Sequence, residues 1–100
     1  MYMRVEFGKS KRNDKRLVAV FYNDDDKKVK TTHFGLKNPK FGTFIDHKDR
    51  QSKELYLKRH RVRENWDDYQ SAGSLSRHIL WNKPTLEKSI TDYKNIFKLK

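Results

Sequence analysis

The first third of the chain shows the short alternating pattern that is typical of β-strands. Polar and apolar positions alternate in residues 4–7, so the apolar side chains share one face. Residues 17–22 are apolar at every position, which predicts a central strand covered on both faces. Residues 29–34 alternate again, and polar, turn-forming stretches separate the three segments. Residues 1–35 are therefore predicted to form a three-stranded antiparallel meander with the second strand in the middle.

An irregular stretch follows the predicted sheet. Residues 36–46 contain glycine and proline, and the aromatic rings of Phe41 and Phe44 are expected to pin this loop to the core. After the loop, the spacing of apolar residues lengthens to that of a helix. Residues 47–100 are therefore predicted to be the helical part of the protein.

The first predicted helix begins next to an acidic residue. Asp46 is a candidate N-cap, because its carboxylate can accept hydrogen bonds from backbone N–H groups two or three residues on. At helical spacing, Leu55, Val62 and Trp66 lie within about 40° of one another, which predicts that they form the buried face. Leu57 points away from this face, so we expect the helix to be contacted from a second side as well.

A second helix is predicted to start near Ser71. Ala72, Leu75 and Ile79 recur at helical spacing and are expected to be buried together. The helix must end close to Pro84, because proline removes a backbone donor and restricts the residue before it.

Pro84 suits the first turn of a third helix. This helix has the clearest apolar period of the chain, formed by Leu86, Ile90, Tyr93 and Phe97. Helix propensity alone does not sustain a segment of this length, so its apolar stripe requires a surface to pack on. The whole chain, residues 1–100, is predicted to be a single α+β domain in which two or three helices pack on one face of the meander.

Composition narrows the classes of protein that fit this fold. The 100 residues include 24 Lys or Arg and 13 Asp or Glu, for a net charge of +11, and only 34% are hydrophobic. The core must therefore be small and the surface crowded with charge. The absence of cysteine excludes a disulfide framework, a thiolate zinc site and a cysteine nucleophile. We also expect no membrane span and no secretion, because no apolar run has the length of a bilayer or of a signal peptide.

The excess positive charge is concentrated in residues 47–63, which carry seven Lys or Arg and two Asp or Glu. Lys and Arg neutralise phosphates and release condensed counterions, and this contribution dominates much nucleic-acid affinity. Arg adds a planar fork that matches phosphate oxygens. The candidate polyanion-binding residues of this segment are Lys48, Arg50, Lys53, Lys58, Arg59, Arg61 and Arg63.

These cations do not form one stripe on a helical wheel. Lys58 and Arg59 flank the face of Leu55, whereas Arg50, Lys53 and Arg61 lie opposite to it. A solvated face that only keeps the protein soluble is one competing interpretation. Contact with an acidic protein surface is another, because it rewards the same side chains as phosphate does.

A second basic cluster lies at the first predicted hairpin and contains Lys9, Lys11, Arg12, Lys15 and Arg16. Lys11 and Arg12, at the tip of the hairpin, are candidates to follow the same phosphate backbone as the basic helix. Basic turns are also common for solubility alone, so this cluster by itself is a weak signal.

The remaining side chains give little indication of catalysis. Trp66 and Trp81 could stack on bases, but core packing is the favoured interpretation for both. His47, His60 and Glu64 could be imagined as a nuclease-like metal site, although the four histidines lack the close spacing of a metal motif. No nucleophile elbow or phosphate-cradling glycine loop occurs. The sequence therefore predicts no enzyme, no metal and no cofactor.

Five ordered motifs carry a resemblance to a known family. They are VKTTHFG at 29–35, HKD at 47–49, YLKRHRVRENW at 56–66, AGSLSR at 72–77 and LWNKP at 80–84. Together they resemble a family of small basic proteins of unknown function, encoded by large double-stranded DNA viruses of algae and amoebae. The sequence departs from that pattern in the 36–44 loop and at Ser74. The resemblance implies a viral source but supplies no activity and no catalytic residues.

Two functions fit these observations. The first is a non-catalytic, virion-associated protein that contacts the backbone of nucleic acid, above all DNA, through the basic helix and hairpin. The alternative is a minor capsid or cement protein that bridges capsid subunits through their acidic surfaces. A third possibility is an accessory protein like those of ribosomes, which share this size and charge. For the two viral functions, the expected location is the virion or the interior of the infected cell.

Overall fold

The computed structural model describes residues 3–36, 42–61 and 65–100 of the chain. It has an α+β fold, in which a three-stranded antiparallel sheet of order β1-β2-β3 is followed by helices. The strands are β1 (Arg4–Lys9), β2 (Lys15–Tyr22) and β3 (Lys28–Leu36). The helices are α1 (Phe44–His47), α2 (Arg50–His60), α3 (Ala72–Leu75), a π-helix (Ser76–Leu80) and α4 (Leu86–Phe97). The predicted fold class and the central place of the second strand are confirmed.

The register of the sheet follows from the alternation of its side chains. Val5 lies opposite Phe21 and Phe7 opposite Ala19, while Leu17 lies opposite Phe34. Directly opposed residues of an antiparallel pair point to the same side, so these apolar side chains share one face. The buried members of that face are Val5, Leu17, Ala19, Phe21 and Phe34.

The central strand is fully buried on one face only. On its other face, Val18 and Val20 are half-buried, and the Tyr22 ring is covered by the Arg4 guanidinium, 4.1 Å from the ring centroid. The expectation that β2 is covered on both faces is therefore wrong. A run of apolar residues does not distinguish a strand between two layers from one whose second face is shielded by long polar side chains.

The helical half of the core comes from α3, the π-helix and α4. Leu75, Ile79, Leu80 and Tyr93 pack with the buried face of the sheet. The edge of the Phe7 ring meets Tyr93, with centroids 5.8 Å apart, and the Tyr93 hydroxyl donates to the backbone carbonyl of Tyr69. Aromatic pairs in this geometry are favourable beyond the area that they bury.

The second predicted helix begins where expected. Ser71 is the N-cap of α3, and its hydroxyl accepts from the Ser74 backbone N–H at 3.1 Å. Leu75 and Ile79 are buried as predicted, but Ala72 is exposed. The chain then widens into the π-helix, where the Trp81 N–H donates to the Ser76 carbonyl at 3.2 Å.

The structure confirms the last predicted helix, which has the clearest apolar period of the sequence, but the helix begins later than expected. Thr85 is the N-cap of α4 and accepts from the Lys88 N–H at 3.3 Å. Pro84 therefore precedes the cap, and the expectation that it lies in the first turn is wrong. Tyr93 is fully buried and Phe97 packs against the core, while Leu86, in the first turn, is exposed. The stripe packs on the core towards the C-terminal end of the helix.

The first predicted helix is divided into two. Asp46 lies inside α1, whose N-cap is Thr43, and the N-cap of α2 is Asp49, whose carboxylate accepts from the Gln51 N–H at 3.0 Å. The prediction that Asp46 caps the long helix is therefore wrong. Its carboxylate accepts instead from the Thr43 N–H at 2.8 Å. Phe44 is buried as expected, and Phe41 lies outside the described residues.

The predicted buried face of that helix is also corrected. Leu55 is 52% exposed, and Tyr56 is the buried side chain of α2. Trp66 lies beyond the end of the helix, and Val62 lies outside the described residues. Because α2 ends at His60, a spacing that extends to Trp66 no longer defines one helical face.

The C-terminal residues add to the edge of the sheet. The Val5 N–H donates to the Lys100 carbonyl at 3.0 Å, and the Lys100 N–H donates to the Met3 carbonyl at 2.9 Å. These bonds satisfy the Val5 N–H of β1 and the carbonyl of Met3, just before the strand, which would otherwise face outward at an open edge. Within the described ranges, no helix combines the length and apolar character needed to cross a membrane.

Candidate nucleic-acid interface

Helix α2 is joined to the rest of the fold through a column of aromatic rings. The Tyr56 ring stacks on Trp81 with centroids 4.4 Å apart and planes 4° from parallel. His60 stacks on Tyr56 at 4.1 Å, and the edge of His47 meets Trp81 at 5.6 Å. Trp81 is half-buried and packs against the core, as the sequence favoured. Since Tyr56 is the buried residue of α2, much of the helix surface faces solvent.

Lys53 makes the second attachment of α2. Its Nζ donates to the Asn82 carbonyl at 2.7 Å and lies 5.0 Å from the centroid of the Phe44 ring. Burial lowers the pKa of the Lys53 ammonium, and the neighbouring charges of Arg77, Lys83 and Arg50 lower it further. This predicted phosphate ligand therefore points towards the body of the protein, into a region that is already positively charged.

The other cations of α2 are accessible to solvent. Arg50, Lys58, Arg59 and Arg61 are exposed. Within residues 3–36, 42–61 and 65–100, no carboxylate lies within 4.0 Å of their charged nitrogens. Lys48 is also exposed and has a long contact of 3.4 Å from Nζ to the Ile45 carbonyl. Arg63 lies outside the described residues.

The basic hairpin divides into a structural and an exposed part. Arg16 forms a two-pronged ion pair with Asp46, with nitrogen–oxygen distances of 2.8 and 2.7 Å, and also donates to the Thr43 hydroxyl at 3.2 Å. The Arg16 hydrogen bond is the main reason that the pKa of Asp46 lies well below its usual value. Arg12 is exposed and lies 3.5 Å from Asp14, whereas Lys11 is exposed with no carboxylate of the described chain within 4.0 Å.

The Arg16–Asp46 pair relates the two basic segments in space. Arg16 is at the start of β2, directly after the β1–β2 hairpin, and α2 begins soon after Asp46. Both Lys11 and the N-terminal end of α2 are therefore near the same end of the sheet. The β2–β3 turn, which contains Lys27, lies at the opposite end of β2.

A groove of about 460 Å³ runs between α2 and the segment that precedes α4. Its charged lining residues are Arg50, Lys53, Lys83 and Glu54. Its apolar wall is formed by Phe44, Leu57 and Pro84, and Asn82 completes the lining. Arg77 lies close by, with its guanidinium 5.4 Å from the Trp66 ring and one N–H donating to the Trp81 carbonyl at 3.2 Å.

The sequence did not identify Lys83, Arg77 or Asn82 as candidate binding residues. Each is separated from the basic segment by more than ten residues, so no local charge cluster reveals it. The only local signal of a binding role is that Lys83 lies between Trp81 and Pro84, in a segment that ends one helix and precedes another. That signal indicates a structural turn as readily as a ligand site.

The two histidines of the imagined metal site lie at opposite ends of the ring column. His47 Nδ1 accepts from the Asp49 backbone N–H at 2.9 Å, and His60 Nδ1 lies 2.9 Å from the Tyr56 carbonyl. Glu64 lies outside the described residues. In the part of the chain that the structure describes, no three His, Asp or Glu side chains are grouped as metal ligands.

Comparison with known proteins gives a match to one family model, described as a family of unknown function (DUF5754), over residues 5–60. The matched segment runs from β1 to the end of α2, so it contains the basic hairpin and all of the basic helix. No curated protein and no solved structure matches the chain.

Proposed function

The chain belongs to the DUF5754 family, whose function is unknown, and we propose that it is a non-catalytic protein that binds the sugar–phosphate backbone of nucleic acid through α2 and the β1–β2 hairpin. The motif resemblance described above supports a source in large double-stranded DNA viruses. DNA is therefore the proposed ligand, and the virion or the infected cell the proposed location. Contacts to phosphate position a protein on a duplex without reading its sequence.

The observation that supports this proposal most strongly is that the exposed cations of α2 have no carboxylate partner among the described residues. Arg50, Lys58 and Arg59 are exposed, and no carboxylate among the described residues lies within 4.0 Å of them. Arg16 is different, because Asp46 neutralises it. A cation that is already paired must lose its partner before it binds phosphate, whereas the α2 cations are available at once.

The shape of the molecule supports the same proposal. α2 is held along a narrow seam by Tyr56 and Lys53, so its remaining surface is accessible to a large ligand. Because Lys11 and the N-terminal end of α2 are near the same end of the sheet, one duplex can contact both elements. Long basic side chains on a helix and a nearby turn suit the repeating charge of a phosphate backbone.

Salt dependence tests the proposal directly. We expect a fluorescent duplex to bind with an affinity that falls linearly, on logarithmic axes, between roughly 50 and 300 mM salt, with a slope of about −4 for four or five neutralised phosphates. Failure to bind at the lowest salt concentration contradicts the proposal. So does an affinity that salt does not change.

A pair of matched variants locates the surface. Arg59→Gln with Arg61→Gln should reduce the magnitude of the salt slope by about 2, equally for duplexes of different sequence. Lys27→Gln with Lys28→Gln removes the same charge at the opposite end of β2 and should change the slope less. Equal effects of the two pairs would show that net charge, and no particular surface, determines binding.

A second candidate function has an observation of its own. Leu55 lies among the cations of α2 and is 52% exposed. Contact with a phosphate backbone would bury little apolar surface on this side chain, whereas contact with a protein can bury it. This favours a minor capsid protein whose α2 contacts an acidic subunit surface with an apolar centre. Leu55→Gln should then weaken binding to the capsid subunit and leave duplex binding unchanged.

A further inference from the structure

The groove between α2 and Asn82–Pro84 gathers cations from distant parts of the chain. Arg50 and Lys53 come from α2, and Lys83 comes from the segment before α4. Glu54 is the acidic residue of the lining, so the lining carries a formal charge of +2. Three cations that converge on one groove repel one another, and an anion bound between them offsets that repulsion.

Two cations of this region are partly removed from water. Lys53 and Arg77 are half-buried, and no carboxylate of the described residues lies within 4.0 Å of either. The nearby acid, Asp92, accepts from the Asn82 side-chain amide at 2.6 Å. Partial burial of unpaired cations costs free energy, and this cost is recovered when an anion enters.

We propose that this groove is an anchoring subsite that holds a single phosphate of the nucleic-acid backbone between Arg50, Lys53 and Lys83. The inference rests on the proposed function and deepens it, because it separates one specific phosphate contact from the diffuse contacts of the outer α2 surface. An anchored phosphate would fix the register of the protein on its ligand.

The chemistry of the three side chains suits this role. The Lys53 ammonium has three N–H donors, and the Asn82 carbonyl takes one of them, so the others are available to phosphate oxygens. The Arg50 guanidinium offers a planar set of N–H donors, and the Lys83 ammonium supplies a compact positive charge. Phe44, Leu57 and Pro84 supply apolar surface beside the cations, and the lower local dielectric strengthens their attraction for the anion.

Amide chemical shifts measured on the full chain test the subsite. We expect titration with the dinucleotide TpT, which has one phosphodiester, to shift the amides of residues 50–54 and 82–83 saturably. Lys83→Met should weaken TpT binding roughly tenfold, as expected for the loss of a charged hydrogen bond. Lys83 is exposed, so this variant is expected to fold. The control, Lys58→Met on the outer face, should leave TpT binding unchanged while reducing the salt slope for a duplex.

The outcomes separate the two proposals. If a duplex binds but TpT leaves the groove amides unchanged, or if Lys83→Met has no effect, the anchoring subsite is overturned and the proposed function stands. If TpT binds in the groove but no duplex binds, nucleic-acid binding by α2 is overturned, and the groove is not a backbone subsite. Equal affinity for inorganic phosphate and TpT would identify a simple ion site and overturn the subsite as well.

Discussion

Trp81 lies flat on Tyr56, with ring centroids 4.4 Å apart and planes 4° from parallel. The two residues come from the end of the π-helix and from the middle of α2, and Tyr56 is the buried side chain of that helix. One ring stack therefore supplies much of the contact between the basic helix and the sheet-bearing core.

We expect Trp81→Ala to loosen α2 while leaving the sheet folded. The half-buried indole contributes about 2 kcal/mol of packing free energy, less than a fully buried aromatic ring. Hydrogen exchange should accelerate for the amides of α2 and remain slow for β2. The control is Tyr56→Phe, which keeps both rings. Unchanged protection of α2 in Trp81→Ala would show that the stack does not hold the helix.

Asp46→Asn should lower the free energy of unfolding by about 1 kcal/mol at pH 7. The Arg16–Asp46 pair has ideal two-pronged geometry, but Asp46 is 37% exposed, so solvent screening limits its contribution. Asp26→Asn is the matched control, because its longer pair with Arg4 is more exposed, and it should change stability by less than about 0.5 kcal/mol.

The effect of Asp46→Asn should also depend on pH. Arg16 holds the pKa of Asp46 below its ordinary value of 3.8, so the ionised carboxylate stabilises the fold at higher pH. This stabilisation is complete above the ordinary value and is lost as the pH falls towards the lowered pKa. In urea unfolding, the difference between parent and variant should shrink as the pH falls below 3.8 towards the lowered pKa, and a constant difference at all pH values contradicts the role of the charge.

Tyr93→Ala should unfold the protein or nearly so. The ring is fully buried and packs on Phe7 and Phe97, and removal of such a ring costs about 3–5 kcal/mol. Tyr93→Phe keeps the ring but leaves the Tyr69 carbonyl without its donor, which should cost about 1 kcal/mol. Thermal melts followed by circular dichroism measure both, and equal melting temperatures for parent and Tyr93→Ala would refute the packing of α4.

Gly35→Ala should destabilise the end of the sheet. Gly35 has φ +79°, which disfavours any side chain, and a Cβ there would lie 2.8 Å from Leu80 Cδ1. The expected cost is about 1–3 kcal/mol. Gly8→Ala is a suitable control, because its Cβ would make an ordinary contact of 4.0 Å with Val18. A melting temperature for Gly35→Ala equal to that of the control would show that the contact relaxes freely.

The strands and the last helix could be predicted because their signals are local. The apolar run of β2 lies within one strand, and the stripe from Ile90 to Phe97 lies within one helix. The N-cap at Ser71 could also be predicted, since a cap bonds to the backbone a few residues away. The buried face of α2 could not be predicted as well. The helix has few apolar residues, and their spacing does not mark one particular face for burial.

The basic candidate residues divide in a way that the sequence does not reveal. Arg16 and Lys53 resemble their basic neighbours in the chain, yet Arg16 pairs with Asp46 and Lys53 bonds to Asn82. Lys83, which lies outside the basic segment of the sequence, lines the same groove as Lys53. Partners about thirty residues apart leave no periodic trace, because their proximity depends on how the elements pack.

The amino-acid sequence by itself determined the α+β class, the order of the meander, the period of α4 and the large positive charge, since each depends on local pattern or on counting. Only the tertiary structure decided that Tyr56 rather than Leu55 anchors α2, and which cations face solvent and which face the groove. Side-chain pairing and burial arise from contacts between elements far apart in the chain, and these contacts form only when the core assembles.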